Sequence, residues 1–490
     1  MATNTPQATS GLDRWFHISE RGSNISTEIR GGLVTFVTMA YIVVLNPIII
    51  GTVTDKTGHL ITGETVSGPA IGHSIVVVSA ATAFIAGVMS ILMGLFGRFP
   101  VALAAGLGLN SFLAYTIVPQ MTWSAALGLM IIGGALMFVL VLTGFRLAVF
   151  RAVPEALKYA IGVGIGLFIT FIGLVDAGIV RSGVPLLSFG VENKINHAHE
   201  LAGWPIFVFV FGLLLVSVLV ALRVRAAILI GLVTTTVLAV IIDYVAAQNQ
   251  AIGKLRDDTG AVVNPTGWGL NVPKVPEKVV DFTNPFDLWH INLTGGIQAV
   301  GVVSAMVLIF SLLLSDFFDS IGTVTGLAAE ANLLQEDGEI EHIKEILVVD
   351  SIAVMAGAAG GTSSNTAYIE SASGVGDGAR TGLASIVTGG LFLLAIFIAP
   401  LTQMVPYEAA TPALVVVGFL MFTQVRKIPM DDYSLAIPAF LTIILMPFTY
   451  SITNGVGAGI VSYVLIKLAQ RKAKEISLIM WVISIAFVIY

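Results

Sequence analysis

Three acidic residues stand in stretches of the sequence that are otherwise apolar. Asp316 and Asp319 lie three residues apart near the end of the apolar run 301–323, and Glu370 follows about fifty residues later among small residues. An acidic side chain at the centre of a membrane costs roughly 2.5–3.5 kcal/mol on insertion scales, so it is rarely kept without a function. We therefore predict a substrate or proton site inside a bundle of membrane-spanning helices.

The same residues favour one kind of ligand. An ionised carboxylate only accepts hydrogen bonds, so it suits the N–H groups of a flat polar ring, and Asn110 adds both a donor and an acceptor. No Lys or Arg at membrane depth accompanies the acids, which argues against an inorganic anion or a carboxylate as substrate. Four phenylalanines could stack on such a ring, although each is more often a packing or lipid-facing residue: Phe36, Phe112, Phe317 and Phe318.

Proton coupling would also depend on the carboxyl groups. None of the seven histidines falls in the middle of a predicted span. Burial disfavours the ionised form of a carboxyl group, and Asp316 and Asp319, at i and i+3 of one helix, repel each other if they face the same cavity. Such a group can take up a proton on one side of a membrane and release it on the other.

The composition indicates a membrane protein. Of 490 residues, 56% are hydrophobic and 11% are charged, whereas soluble domains have about 25% charged residues. The chain has no cysteine, so disulfides and thiolate metal sites are excluded. Residues 1–27 are polar and lack the apolar region of a signal peptide, so we expect the first apolar segment to direct insertion.

Apolar runs near the 20 residues needed to cross a bilayer occur seven times on each side of a polar stretch of roughly fifty residues. They fall at about 29–51, 74–97, 100–119, 123–144, 156–179, 203–222 and 226–247, and at about 299–323, 345–360, 362–378, 380–400, 411–425, 433–451 and 453–470. The last apolar piece, 476–490, is either an interfacial helix or a fifteenth span.

Lys and Arg set the orientation. With the N-terminus inside, the short outer loops hold only Lys56, Arg181 and Lys194, and most other basic residues fall on the inner side. Seven spans per half insert the two halves in opposite orientations, which predicts inverted repeats. The third and tenth spans are both rich in small residues and carry Asn110 and Glu370. Such a matched pair indicates a transport site, the alternative being close helix packing.

Other polar residues have structural interpretations. Asp350 is expected to be a structural network partner, the alternative being a proton relay, and Asp176 and Asp243 are expected to be solvated at outer span ends. Glu28, with Thr27, is expected to begin and cap the first helix. We find no P-loop, no HExxH and no nucleophile elbow, so an enzyme is not expected, and neither a cofactor, a metal nor a nucleic acid partner is predicted.

Four blocks of the sequence resemble the AzgA-like purine permeases, the guanine, hypoxanthine and adenine branch of the nucleobase transporter superfamily. The blocks are TEIRGGLVTFVTMAYIVVLNPIII (27–50), AAGLGLNSFLAYT (104–116), SDFFDSIGTVTGLA (315–328) and GTSSNTAYIESASGVGDGARTGLASI (361–386). They occur in the same order as in that family and are spread over most of the chain, and residues 437–467 are also similar to it.

The resemblance implies an all-α polytopic membrane protein with a uracil-permease-like fold, in which 14 transmembrane segments form 7+7 inverted repeats. Spans three and ten would each hold a short extended stretch. The implied parts are a cytoplasmic N-terminal segment 1–28, core domain parts 29–144 and 299–400, gate domain parts 145–247 and 401–470, an extracellular loop 248–298, and a basic and apolar tail 471–490.

The resemblance also implies proton-driven import of purine bases across the plasma membrane by an elevator-like shift of core against gate. The predicted substrate-binding residues are Asn110, Asp316, Phe317, Thr366 and Glu370, and those tied to proton coupling are Asp319 and Glu370. A homodimer joined through the gate domain is expected. The alternatives are an anion or other solute carrier of the same fold, which the acids disfavour, and a purine sensor that does not transport.

Overall fold

The computed structural model describes residues 11–144, 153–182, 187–192, 199–246, 267–268, 272–273, 275–333 and 340–489. Most of these residues are helical, as the apolar runs predict. The helices are α1 Gly11–Phe16, α2 Ile25–Met39, α3 Ile42–Ile50, α4 Gly68–Leu92, α5 Leu107–Phe112, α6 Trp123–Leu142, α7 Glu155–Asp176, α8 Trp204–Ala221, α9 Ala227–Ala246, α10 Gly295–Val300, α11 Val302–Glu330, α12 Ile343–Ala359, α13 Ala372–Gly376, α14 Gly382–Ala395, α15 Tyr407–Phe422, α16 Tyr433–Phe448, α17 Ile452–Ala469 and α18 Leu478–Ile489.

Short strands interrupt the helices. Strand β1 (Leu103–Ala105) pairs antiparallel with β6 (Asn365–Ala367), with Ala104 opposite Thr366. The extended stretches expected in the third and tenth spans are therefore present, and they pair with each other. Two small hairpins follow α7, formed by β2 (Val180–Ser182) with β3 (Leu187–Phe189) and by β4 (Val191–Glu192) with β5 (His199–Glu200).

Ten helical segments in the described residues are long and apolar enough to cross a membrane. Four of them include adjoining segments: α2 with α3 forms Ile25–Ile50, α4 continues to Gly97, α14 to Met404 and α15 to Lys427. Helices α12 and α16 are shorter, with 17 and 16 residues. Helix α18 has 12 residues, which at 1.5 Å per residue reach about 18 Å, well short of the roughly 30 Å of hydrocarbon. The interpretation of 476–490 as a fifteenth span is therefore not supported.

The helices form two bundles. The strand-containing bundle consists of α2–α6 and α10–α14 with β1 and β6, and within it α4 packs against α14 and α6 against α12. The six-helix bundle consists of α7–α9 and α15–α17, in which α7 packs against α15 and α16. The bundles meet along α11, which contacts α7 and α17, and through α5 against α7. The expected boundaries near residues 145 and 248 lie outside the described residues, as does part of the expected loop 248–298.

Glycines let two helices of the strand-containing bundle approach closely. A Cβ added at Gly389 of α14 would lie 3.0 Å from the backbone nitrogen of Ile91, and one added at Gly87 of α4 would lie 2.9 Å from the carbonyl oxygen of Gly389. Neither contact leaves room for a side chain. The small residues at these positions therefore serve close packing, as they do in many membrane helices.

The N-terminal segment packs onto the strand-containing bundle, and Glu28 lies in the first turn of α2, as expected, although neither it nor Thr27 is the capping residue. Asn24 caps α2 by accepting from the Thr27 amide. Glu28 is fully buried, and its carboxylate accepts from the backbone N–H of Arg380 at 2.8 Å and of Thr381 at 3.2 Å. A carboxylate buried between two segments is stabilised by such donors. Glu28 therefore joins α2 to the start of α14.

Candidate functional site

The strand pair holds the two broken segments together at the centre of the strand-containing bundle. Beyond the three paired residues, the Gly106 amide donates to the Ser364 carbonyl at 2.9 Å, and the Tyr368 amide to the Ala102 carbonyl at 3.0 Å. Backbone that leaves a helix at membrane depth must find partners inside the protein. Strand pairing provides them, and it fixes where each following half-helix begins.

Asp316 lies in the middle of α11 and faces β6. Its side chain is buried, and Ser364 Oγ donates to its Oδ1 over 2.6 Å. One turn later on the same helix, Ser320 Oγ donates to Asp350 Oδ1 over 2.7 Å and lies 2.8 Å from Thr366 Oγ1. Two serines thus connect α11, α12 and the strand pair. The expected network role of Asp350 agrees with this contact.

Asp319 and Glu370 lie near each other on the accessible side of the site. The Asp319 side chain is exposed and Glu370 is half-buried. Asp319 is close enough to Glu370 and Asp350 for their charges to interact. A proton on either carboxyl group relieves the repulsion between them.

Glu370 is held by the first membrane span. The Tyr41 hydroxyl donates to Glu370 Oε1, and Thr38 Oγ1 lies 3.3 Å from the Glu370 carbonyl oxygen. Tyr41 is fully buried in the two-residue link between α2 and α3. A phenol that donates to a carboxylate makes a strong, charge-assisted bond. Tyr41 therefore fixes the position of the Glu370 side chain.

Asn110 presents an unsatisfied amide. It lies on α5 and is fully buried, and among the described residues neither its Oδ1 nor its Nδ2 has a hydrogen-bond partner. Leaving a buried polar group without a partner costs about 1–3 kcal/mol. The side chain can therefore bind a ligand or water that both donates and accepts hydrogen bonds.

The other predicted site residues are packed. Thr366 is almost fully buried, and its hydroxyl is hydrogen-bonded to that of Ser320. Phe317 is also buried. Phe112 is fully buried, and Phe36 packs edge to face on Phe392 with ring centroids 5.0 Å apart. The Phe318 side chain lies outside what the structure describes.

A small cavity lies behind Asp316, on the side of α6 and α12. Its volume of about 10 Å³ is roughly enough for one water molecule. Asp316 and Ser364 supply its polar atoms, and its other walls are apolar or glycine, including Leu109, Met130 and Gly134. A heterocycle does not fit there, so a ligand of that size would have to approach from the side of Asp319 and Glu370.

Sequence reasoning missed Tyr41, Ser320 and Ser364. Ser320 could have been found, because it lies four residues after Asp316 and so on the same helix face. Tyr41 is an aromatic residue with a polar hydroxyl inside the first apolar run, and this alone is a weaker indication of a site residue. Ser364 becomes recognisable only once β6 is known to face α11.

The expectation that Asp176 is merely solvated is wrong. Asp176 is half-buried at the end of α7, and its Oδ2 accepts a hydrogen bond of 3.3 Å from the Tyr115 hydroxyl. Tyr115 follows α5 in the other bundle. No local pattern around either residue indicates this contact.

Comparisons with known proteins agree in the class of protein they indicate. The profile of the Permease family matches residues 26–457. A guanine/hypoxanthine permease of Bacillus subtilis (strain 168) is 37% identical over 98% of this chain and 99% of its own length. An adenine permease of Escherichia coli (strain K12) is 34% identical over 98% of this chain and 96% of its own length.

The fold is similar to that of a solved transporter. The transmembrane domain of a cyanobacterium bicarbonate transporter, BicA, matches with a TM-score of 0.60 at 12% identity, over 89% of this chain and 97% of that domain. At this identity the likeness concerns the fold alone.

Proposed function

This chain belongs to the Permease family, and from that premise we propose that it imports purine nucleobases in symport with protons. Family membership confirms the resemblance seen in the four sequence blocks and makes the chain a multi-pass membrane transporter rather than an enzyme. Purines as substrates are supported by the two relatives named for guanine, hypoxanthine and adenine. The observation that carries the proposal is the pair Asp319 and Glu370, accessible beside the strand pair.

The chemistry of the site suits a purine. Glu370 and Asp319 offer acceptors for ring and exocyclic N–H groups, and Asn110 offers an unsatisfied donor and acceptor. Asp316 would contribute from the buried side of the site, where Ser364, next to β6, holds its carboxylate. Thr366 would contribute by holding Ser320, and Phe317 by packing rather than stacking, since both are buried.

Proton coupling is assigned to Asp319 with Glu370. The two are close enough for their charges to interact, and Asp319 is exposed. A proton bound to Asp319 would remove its repulsion with Glu370, whose two ionised carboxylate oxygens could then accept hydrogen bonds from the substrate. Release of that proton on the far side would weaken substrate binding there.

Alternating access is assigned to movement of the strand-containing bundle, as the core domain, against the six-helix bundle, as the gate domain. Matched packing supports the inverted repeat with 14 spans. Helices α4 and α14 pack together as α6 and α12 do, and α8 with α9 correspond to α16 with α17. Equivalent contacts in two halves are what opposite insertion of one unit would produce.

The protein is assigned to the plasma membrane with its N-terminus in the cytoplasm, on the distribution of Lys and Arg. A homodimer through the six-helix bundle is part of the same proposal. Helices α8 and α9 are only 33% buried within the chain. Their outer apolar faces, which include Leu214 and Val237, would contact lipid or a second copy.

Accumulation of labelled hypoxanthine tests the proposal. Cells that lack purine uptake, expressing the chain, are expected to accumulate hypoxanthine above its external concentration, and a protonophore should abolish the accumulation. Unlabelled guanine and adenine would compete. Binding without accumulation would indicate a sensor, and equilibration without accumulation would contradict proton symport.

A further inference from the structure

An aromatic and acidic contact joins the two bundles at the end of the molecule where Asp176 lies. Tyr115, in the turn that extends α5, donates to Asp176 Oδ2 of α7. The Tyr115 ring packs edge to face on Tyr450, with centroids 5.7 Å apart, and Tyr450 packs on Phe168 of α7 at 5.4 Å. Hydrogen bond and rings together cover this end of the interface between the bundles.

Tyr450 is held in a fixed position. It lies in the turn between α16 and α17 with a φ of +52°. A bulky residue adopts this left-handed conformation only where the surrounding structure enforces it. Tyr450 therefore presents its ring to Tyr115 from a rigid turn of the six-helix bundle.

Toward the other end of the same interface, one face of α11 is uncovered in the described part of the chain. Gly322 and Gly326 follow Asp319 by three and seven residues, and so lie on the same face of α11. Among the described residues, no atom other than the adjoining backbone of α11 lies within 4 Å of a Cβ built on either glycine. Asp319 is itself exposed. Open space thus runs along α11 from Asp319 toward the C-terminal end of that helix.

Equivalent positions of the two broken segments reach the six-helix bundle at opposite ends. Ala104 and Thr366 pair at the centre, and Tyr115 and Asp377 each follow their strand residue by eleven positions. Asp377 accepts from Arg225, between α8 and α9, over 2.7 Å. The Arg225 side chain is 60% exposed, and an exposed ion pair contributes little to holding two segments together. The half-buried hydrogen bond from Tyr115 to the Asp176 carboxylate contributes more.

We propose that the Tyr115–Asp176 hydrogen bond, with Tyr450 packed against it, closes the path to the site at the Asp176 end and must break before the site opens there. This inference rests on the proposed transport function, because it assigns the two residues to the closed half of an alternating cycle. Asn110 lies five residues before Tyr115. Movement of that segment would therefore couple closure to the site.

Thiol labelling tests the closure without any measurement of transport. The chain has no cysteine, so one introduced thiol is the only one that reacts. Ser111→Cys is the reference, because Ser111 is fully buried and lies one turn before Tyr115 on the same side of the segment. The rate of its modification by a maleimide is measured on the purified full-length protein without substrate.

Adding Tyr115→Phe keeps the ring and removes the donor, and it is expected to raise the labelling rate about tenfold or more. Asp176→Asn weakens the same bond from the other bundle and should raise the rate in the same direction. Tyr463→Phe is the control, because this buried tyrosine lies toward the opposite end of α17, and its labelling rate should equal that of the reference.

Equal labelling rates in the reference and in both variants would overturn the closure. The result is independent of purine transport. An inactive protein whose labelling still rises in the variants would contradict the proposed function and leave the closure standing.

Discussion

Ser364 Oγ donates a hydrogen bond to Asp316 Oδ1 over 2.6 Å and so ties the middle of α11 to the residue that precedes β6. The contact joins two segments 48 residues apart. Both side chains are almost fully buried. A residue of the tenth span therefore helps to fix the position of the Asp316 side chain.

Replacing Ser364 with alanine is expected to weaken purine binding about tenfold. The change removes a donor from a buried carboxylate, which costs on the order of 1–3 kcal/mol. Ser351→Ala is the matched control, because Ser351 is fully buried but donates to the Leu347 carbonyl of its own helix. Purine binding to the purified proteins checks the prediction, and equal affinities in the two variants would contradict it.

Tyr41→Phe is expected to lower the affinity for purine and slow uptake. The phenyl ring preserves packing, while Glu370 loses its charge-assisted donor, which is worth about 1.5–3 kcal/mol. Tyr159→Phe serves as control, since its ring faces Lys427 in the other bundle. The prediction fails if uptake by Tyr41→Phe has the same concentration dependence as uptake by the control.

Two neighbouring glycines of α14 are expected to respond differently to alanine. A methyl group on Gly389 would lie 3.0 Å from the Ile91 backbone nitrogen. A methyl group on Gly390 would meet, within 4 Å, no atom of the described residues beyond the adjoining helix backbone. Gly389→Ala should therefore destabilise the protein by about 1–3 kcal/mol through overpacking. Gly390→Ala should be neutral or slightly stabilising, because alanine favours helix over glycine. Thermal unfolding in detergent distinguishes the two, and equal unfolding temperatures would show that α4 and α14 do not pack this closely.

The Arg225–Asp377 pair is expected to depend on pH only in acid. The hydrogen bond from Arg225, with a second from Arg30, outweighs burial and holds the pKa of Asp377 below its usual value of 3.8. A lowered pKa means that the contribution of the pair is present above the usual value and is lost as the pH falls through the lower folded-state value.

Arg225→Gln should therefore lower the unfolding temperature slightly, by an effect worth less than about 1 kcal/mol, because the arginine is exposed. The difference from the unsubstituted protein should be unchanged between about pH 7 and pH 5 and should shrink below about pH 4. Added salt should reduce it as well. A difference that already disappears by pH 5 would show that another group carries the effect.

Much of the framework follows from local sequence features. Long apolar runs predict the spans, and small residues around Asn110 and Glu370 predict two interrupted segments, which the structure pairs as β1 and β6. These features can be predicted from the sequence because bilayer thickness and backbone hydrogen bonding constrain each segment separately.

Contacts between distant segments could not be predicted in this way. Glu28 lies in the first turn of a helix, as expected, but its partners Arg380 and Thr381 lie about 350 residues away. Asp176 was expected to be solvated, yet Tyr115 of the other bundle bonds to it. An acidic residue near a span end looks the same in sequence whether water or a distant donor satisfies it. Which of the two satisfies the residue depends on how the bundles pack against each other.

Purine binding by Glu370→Gln tests the central claim most directly. Titration of the purified protein with hypoxanthine should show binding that is lost, or weakened at least about a hundredfold, in this variant, because the neutral amide replaces an acceptor pair with one acceptor and one donor. Glu345→Gln, at an exposed position on α12, should bind as the unsubstituted protein does. Unchanged hypoxanthine affinity in Glu370→Gln would remove Glu370 from the site and contradict the account.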